Sequence, residues 1–416
     1  MTRSLTTSSM DAAPDMTQRR AVVIFAVLAL GYFLSSLIRA VTATLAPTLV
    51  QDFSLNAQEL GLLAGAYFLG FAATQLPLGA WLDRFGPKRV LLCFLSIAVV
   101  GCVAFAMANS FITLLAARAL CGVGVSACLM APLTGYRRWY APASQMRANS
   151  WMLMVGAFGM VASTLPVQWL VPLVGWRPLF FVLAALVALA MVVIAWQVPP
   201  WVEHTAQVVD TALGYQEVWR SPYFRRLAPL GFFNFGGLVA MQTLWAAPWM
   251  IKVAHYTPLD AATGMFWLNM AMLTAFWLWG MLNPWLARHG YTVDRILAVG
   301  IPASILVLAI IVIAGDSIST GAAAIWAIFC VISSAAAQAQ PAVGMAFRPA
   351  LAGRALSAYN LVIFCGVFAV QWGVGLLIDS LRAVGWAEVA AYQGALGCYG
   401  LCCIGAYLHF LRVKTP

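Results

Sequence analysis

The stretch GAWLDRFGPKRV, Gly79 to Val90, sets four charged residues between two long apolar runs. The run before it covers about 57–82 and the run after it about 88–109. Each is long enough to cross a bilayer, which takes about 20 helical residues. Within the stretch, Gly79, Asp83, Arg84, Gly86 and Arg89 form a G-x-x-x-D-R-x-G-x-x-R pattern. Glycine allows a sharp bend and a close helix approach. Asp83 can accept hydrogen bonds from a helix N-terminus or a basic side chain. The basic residues hold the loop at the headgroup level. The pattern reads as a tight turn between two membrane segments.

The rest of the chain agrees. Of 416 residues, 63% are hydrophobic and only 9% charged, against about 25% charged in soluble domains. Mean hydropathy is +0.88. A soluble protein of this composition could not cover its surface, so an all-α integral membrane protein is expected. An outer-membrane barrel is excluded because the apolar runs are continuous rather than alternating. Twelve segments are read: 21–48, 57–82, 88–109, 111–136, 149–171, 178–198, 223–250, 259–286, 293–314, 319–343, 355–378 and 387–411. The first is too long for a signal-peptide core and stays as a helix. All nine cysteines fall inside apolar segments, without metal-ligand spacing, and read as small buried hydrophobes.

Charge orients the chain. Eighteen Lys and Arg fall in the N-terminus, the even-to-odd loops and the C-terminus, while the other side holds only Arg177, Lys252 and Arg382. The positive-inside rule makes both termini cytoplasmic, in a cell (inner) membrane. The net charge of +10 is therefore topology, and no nucleic-acid partner is implied. A polar tail, 1–20, precedes the first segment. The longest polar connection, 199–222, divides the chain into six-helix halves at 21–198 and 223–412. The halves look related. MRANSWMLMVGAFG (146–159) aligns without gaps on GRALSAYNLVIFCG (353–366), matching Arg147 with Arg354 and Gly159 with Gly366. Two related six-helix bundles suggest a secondary transporter with its solute site between the repeats.

The loop at 79–90 resembles the signature loop of the major facilitator superfamily, at the position where that family carries it. A worn copy, ARHGYTVDRIL, lies between segments 8 and 9, with Arg288, Gly290 and Arg295 echoing Arg84, Gly86 and Arg89. RALCGVG in segment 4 fits a further family-like pattern. The resemblance implies transport by alternating access, two bundles rocking about a central site in a monomer within the bilayer. It implies that Gly79, Asp83, Arg84, Gly86 and Arg89 latch the cytoplasmic side when the site faces outward. No cofactor is implied; proton or sodium coupling is open.

Two ionisable residues lie deep in the segments, Arg39 and Arg118, with no Asp or Glu at similar depth. A charge at a helix centre costs about 2.5–3.5 kcal/mol on insertion scales. Each arginine stands 19 residues from the basic flank of its segment, Arg20 and Arg137 respectively. Both guanidiniums should therefore lie about 28 Å above that flank, at one height. By resemblance, segments 1, 4, 7 and 10 line the central cavity. Two cations there without a protein carboxylate point to an anionic solute, a carboxylate or amino-acid-like compound, held by bidentate hydrogen bonds. Alternatives stand beside this: Arg39 snorkelling to the surface, and Arg118 bonding backbone carbonyls at a helix bend. The pairing also looks like the organic-anion porters of the anion:cation symporter branch. Ile38 stands where sugar-acid members often have an acid, which puts a carboxylate proton relay in doubt. Gln242, Trp245, Gln338, Tyr359 and Asn360 are candidates to complete the solute site, with interhelical bonding or packing as the alternative.

A drug or metabolite exporter of the same fold is the competing function. Segment 5 lacks the Gly-Pro-rich run of family antiporters, and no buried carboxylate awaits a cationic drug. A receptor or membrane enzyme is disfavoured, since no catalytic cluster and no soluble domain are evident.

Overall fold

The architecture is given by a computed structural model, which describes residues 17–140, 142–200 and 211–413. Most of the expected tail and part of the expected linker lie outside the described residues. Helix dominates, and no strand occurs among the described residues.

In the first half, α1 is Gln18–Phe53, α2 Ala57–Ala73, α3 Gln75–Ala106, α4 Phe111–Val125, α5 Ala127–Trp139, α6 Pro142–Ala162, α7 Leu165–Val174 and α8 Trp176–Gln197. A short α9, Thr211–Arg220, leads into the second half. There α10 is Pro222–Pro229, α11 Gly236–Ala240, α12 Ala246–Lys252, α13 Pro258–Arg288, α14 Val293–Ala314, α15 Ala322–Ser333, α16 Ala339–Met345, α17 Pro349–Ala383 and α18 Glu388–Arg412.

Among the described residues, nine helical stretches are long and apolar enough to cross a membrane, or ten if the bent pair α6–α7 is one span. All twelve expected segments are nonetheless helical. Helix α2, with 17 residues, is interrupted at Thr74 before α3 continues the pass. Residues Val293–Met345 form one stretch of 53 residues, about 80 Å of helix and enough for two passes. Its break is the 3-10 turn Gly315–Gly321. Segment 5 bends by 43° between α6 and α7.

The turn at Gly86 has a direct cause. Gly86 sits at φ 76, ψ 161 in the middle of α3, a conformation that essentially only glycine adopts without strain. Its expected echo, Gly290, has φ 75. The repeated halves also pack alike. A Cβ on Gly159 would stand 2.4 Å from the Phe33 carbonyl oxygen, and one on Gly366 would stand 2.1 Å from that of Phe232. The fifth segment of each half thus lies against its first segment at a bare backbone contact.

Segment 7 departs from the expected α-helix. It contains two π-helical stretches, Leu230–Phe235 and Met241–Trp245, separated by α11. Asn234, Gln242 and Trp245 all lie in these wide turns.

The halves meet along α2 and α17. Phe71 and Phe364 pack with ring centroids 4.4 Å apart, and a Cβ on Gly61 would meet the Gln371 carbonyl oxygen at 2.3 Å. Further contact joins α1 to Met241–Trp245 and α12.

Candidate solute site

Arg118 is fully buried on α4. Its Nη1 donates to the Ile38 carbonyl at 2.8 Å and its Nη2 to the Arg39 carbonyl at 2.9 Å. Its guanidinium carbon stands 4.7 Å from the centre of the Tyr67 ring. The two terminal nitrogens are thus spent on the backbone of α1, and the side chain fixes α4 to α1 at the level of residue 39. The equal height expected for the two arginines agrees with this contact.

Arg39 is held differently. It is half-buried rather than fully buried, and its Nε, like that of Arg118, has no hydrogen-bond partner. Its guanidinium carbon lies 5.6 Å from the centre of the Phe71 ring, a cation–π distance. The Tyr67 hydroxyl is a further neighbour. No Asp or Glu forms an ion pair with Arg39 among the described residues. Phe71 packs on Phe364 of the other half, so the Arg39 side chain lies beside the seam between the bundles. Sequence reading missed Tyr67, Phe71 and Phe364. The only signal for Tyr67 and Phe71 was aromatic residues four apart in segment 2, which is indistinguishable from packing, and Phe364 in segment 11 carried none.

The candidates of the second half bond within that half. Gln242 donates to Asn269 at 2.9 Å. Trp245 donates to the Gln371 carbonyl at 3.1 Å. Gln338 accepts from Asn283 at 2.9 Å, Tyr359 donates to the Leu227 carbonyl at 3.1 Å, and Asn360 accepts from Gln340. Each contact joins two segments. The structure brings Arg39 and Arg118 together and ties these five residues to other helices. Unpartnered buried polar atoms remain at Thr42, one turn beyond Arg39, and at Asn234 and Gln371.

At the turn around Gly86, Asp83, Arg84 and Arg89 are exposed and Gly79 is half-buried. Nearby, α9 reaches both halves. Its Tyr215 hydroxyl donates to the Leu76 carbonyl of α3 at 3.0 Å, and its Glu217 pairs with Arg348 at 3.0 Å.

A profile of the Major Facilitator Superfamily matches residues 28–371. The chain belongs to that superfamily. Solved facilitator structures share its fold. A bacterial homologue of the human lysosomal transporter Spinster, in an inward-facing, unoccupied conformation, superposes with TM-score 0.77 at 18% identity, over 95% of this chain and 97% of that one. A D-xylose–proton symporter does so with TM-score 0.77 at 15% identity, over 95% and 98%. Among curated facilitators, a probable sulfoacetate transporter of Cupriavidus necator is 29% identical over 39% of this chain and 38% of its own. The hexuronate transporter of Escherichia coli K12 is 27% identical over 39% and 37%, and a gallate transporter of Pseudomonas putida 29% over 39% and 36%. The matched regions thus span less than two fifths of these relatives. Family and fold together make the chain a multi-pass membrane protein of the facilitator type.

Proposed function

We propose that this facilitator carries a small organic anion, and that Arg39 is the group that holds it. The carrying observation is the half-buried guanidinium of Arg39, lying beside the seam between the bundles with no carboxylate partner among the described residues. Burying such a charge costs free energy unless an anion neutralises it. A carboxylate or sulfonate fits the guanidinium fork and adds charge-assisted hydrogen bonds. The names of the relatives agree in kind, since sulfoacetate, hexuronate and gallate are organic anions. Arg118 acts from behind by fixing the backbone of residues 38 and 39. Gln242, Trp245, Gln338, Tyr359 and Asn360 act as struts between segments, and the side-chain amides of Gln242, Gln338 and Asn360 keep further hydrogen-bonding capacity for the solute.

The bundles rock about this site. The turn around Gly86, with Gly79, Asp83, Arg84 and Arg89, works as the gate on the face that carries the termini. The basic loops put that face in the cytoplasm. The two halves move as 21–198 and 223–412.

The test is a thermal-shift screen of purified protein with organic acids, amino acids and lipophilic cations, repeated on Arg39→Gln. A ligand that binds the folded state raises the unfolding temperature. Anions are expected to stabilise the wild type and not the variant. Stabilisation of both proteins by lipophilic cations alone supports a drug exporter instead.

A further inference from the structure

The start of α2 has an incomplete cap of its own. The first N–H groups of any helix lack intrahelical partners. Here Asn56 accepts from the Glu59 N–H at 2.8 Å, and the Glu59 carboxylate accepts from the Asn56 N–H at 3.1 Å. That capping box leaves the N–H groups of Ala57 and Gln58. Both are taken by one carboxylate from the other half of the molecule. Asp379, at the end of α17, accepts from Ala57 at 3.2 Å and from Gln58 at 2.6 Å.

Four residues earlier, Gly375 makes the approach possible. A Cβ there would stand 2.2 Å from the Ala57 carbonyl oxygen. Gly375 and Asp379 therefore repeat the G-x-x-x-D spacing of Gly79 and Asp83. One copy ends segment 2 on the face that carries the termini. The other ends segment 11 on the far face. Segments 2 and 11 are the pair that forms the seam. Asp379 also borders a cleft of about 260 Å³, lined by both halves, with Lys252, Arg382, Glu388 and Tyr392 on its rim.

We propose that Gly375 and Asp379 form a far-face latch, the counterpart of the turn around Gly86. A carboxylate at a helix N-terminus is stabilised both by the N–H groups and by the helix dipole. The latch is closed in this structure, and admission of solute from the far face requires Asp379 to leave the first turn of α2. This rests on alternating access, not on which solute is carried.

Hydrogen–deuterium exchange on the full chain in lipid nanodiscs, without solute, tests it. Asp379→Asn keeps the shape and removes the charge. Loss of one charge–terminus interaction is expected to shift the equilibrium about five-fold. Peptides of the far face, 50–60 and 248–256, should exchange faster. Peptides of the opposite face, 78–90 and 344–354, should exchange more slowly. Asp83→Asn should move both sets in the reverse direction. A second variant, Ala57→Pro, deletes one of the two donors. Asn56 already has extended backbone, φ −80 and ψ 176, as a residue before proline requires. It should reproduce the shift at smaller size. Faster exchange confined to the first turn of α2, or no change at either face, overturns the latch. Because no solute is present, either result leaves the reading of Arg39 untouched.

Discussion

The guanidinium of Arg118 donates to the carbonyl oxygen of Arg39, at 2.9 Å. One arginine therefore orients the backbone that carries the other. The same contact separates their roles, because a group spent on two backbone carbonyls has little left for a solute.

Arg118→Met should cost stability. It removes two charge-assisted bonds and leaves the carbonyls of Ile38 and Arg39 without them, a loss of about 3 kcal/mol. Arg39→Gln should leave the unfolding temperature of the solute-free protein nearly unchanged and lower anion affinity at least ten-fold, as loss of one charge-assisted bond predicts. Thermal unfolding and titration calorimetry on both variants give the two readouts. Equal stability losses in both would remove the division of labour.

The Gly159 and Gly366 contacts predict matched effects. A methyl at either site meets a backbone carbonyl closer than 2.5 Å, and backbone cannot rotate away as a side chain can. Each Gly→Ala substitution should cost about 1–3 kcal/mol of stability, read as a lowered unfolding temperature. A large effect at one site and none at the other would mean that the halves do not share this packing.

Gly86→Ala should be damaging, because φ 76 with ψ 161 is closed to alanine at low energy. The expected loss is about 1–3 kcal/mol, with transport in proteoliposomes falling as the turn deforms. Gly290→Ala meets no neighbouring atom within 4 Å, so only its positive φ opposes the change. It should be the milder of the two.

The contact made by α9 should depend on pH at the alkaline end. Burial pushes the Tyr215 hydroxyl above the usual tyrosine range, while Arg354 and Ser357 pull it back. Its folded value is thus higher than its unfolded value of about 10. The stability it contributes is complete below that pH and is lost as pH rises through the folded value. Exchange of the amides at 214–220 should accelerate on that climb. Tyr215→Phe should exchange faster at neutral pH, by the loss of one hydrogen bond to Leu76, and lack the alkaline step.

Much of the fold could be read because its causes are local. Apolar length marked the segments, and glycine in the pattern marked the turn at Gly86 and its echo at Gly290. The depth of Arg39 and Arg118 followed from residue counts. The partners were a different matter. Gln242, Gln338 and Asn360 look alike in sequence whether they face a solute or another amide, and here each bonds to another segment. The bond between Asp379 and Gln58 spans 321 positions, which no local pattern carries. Segment 7 shows a further limit. Each π-helical stretch inserts residues into the 3.6 repeat, so faces assigned by ordinary helical periodicity drift before Trp245 is reached.

The glycines of the seam have a mechanical meaning. Interlocked side chains must change rotamers to move past one another, as in any close-packed core. At Gly61 against Gln371, and at Gly375 against Ala57, backbone lies directly on backbone. At those two points, unlike the Phe71–Phe364 contact of the same seam, there are no teeth to disengage. Backbones that meet there can part and rejoin without re-threading side chains, and a single methyl added there would be grit.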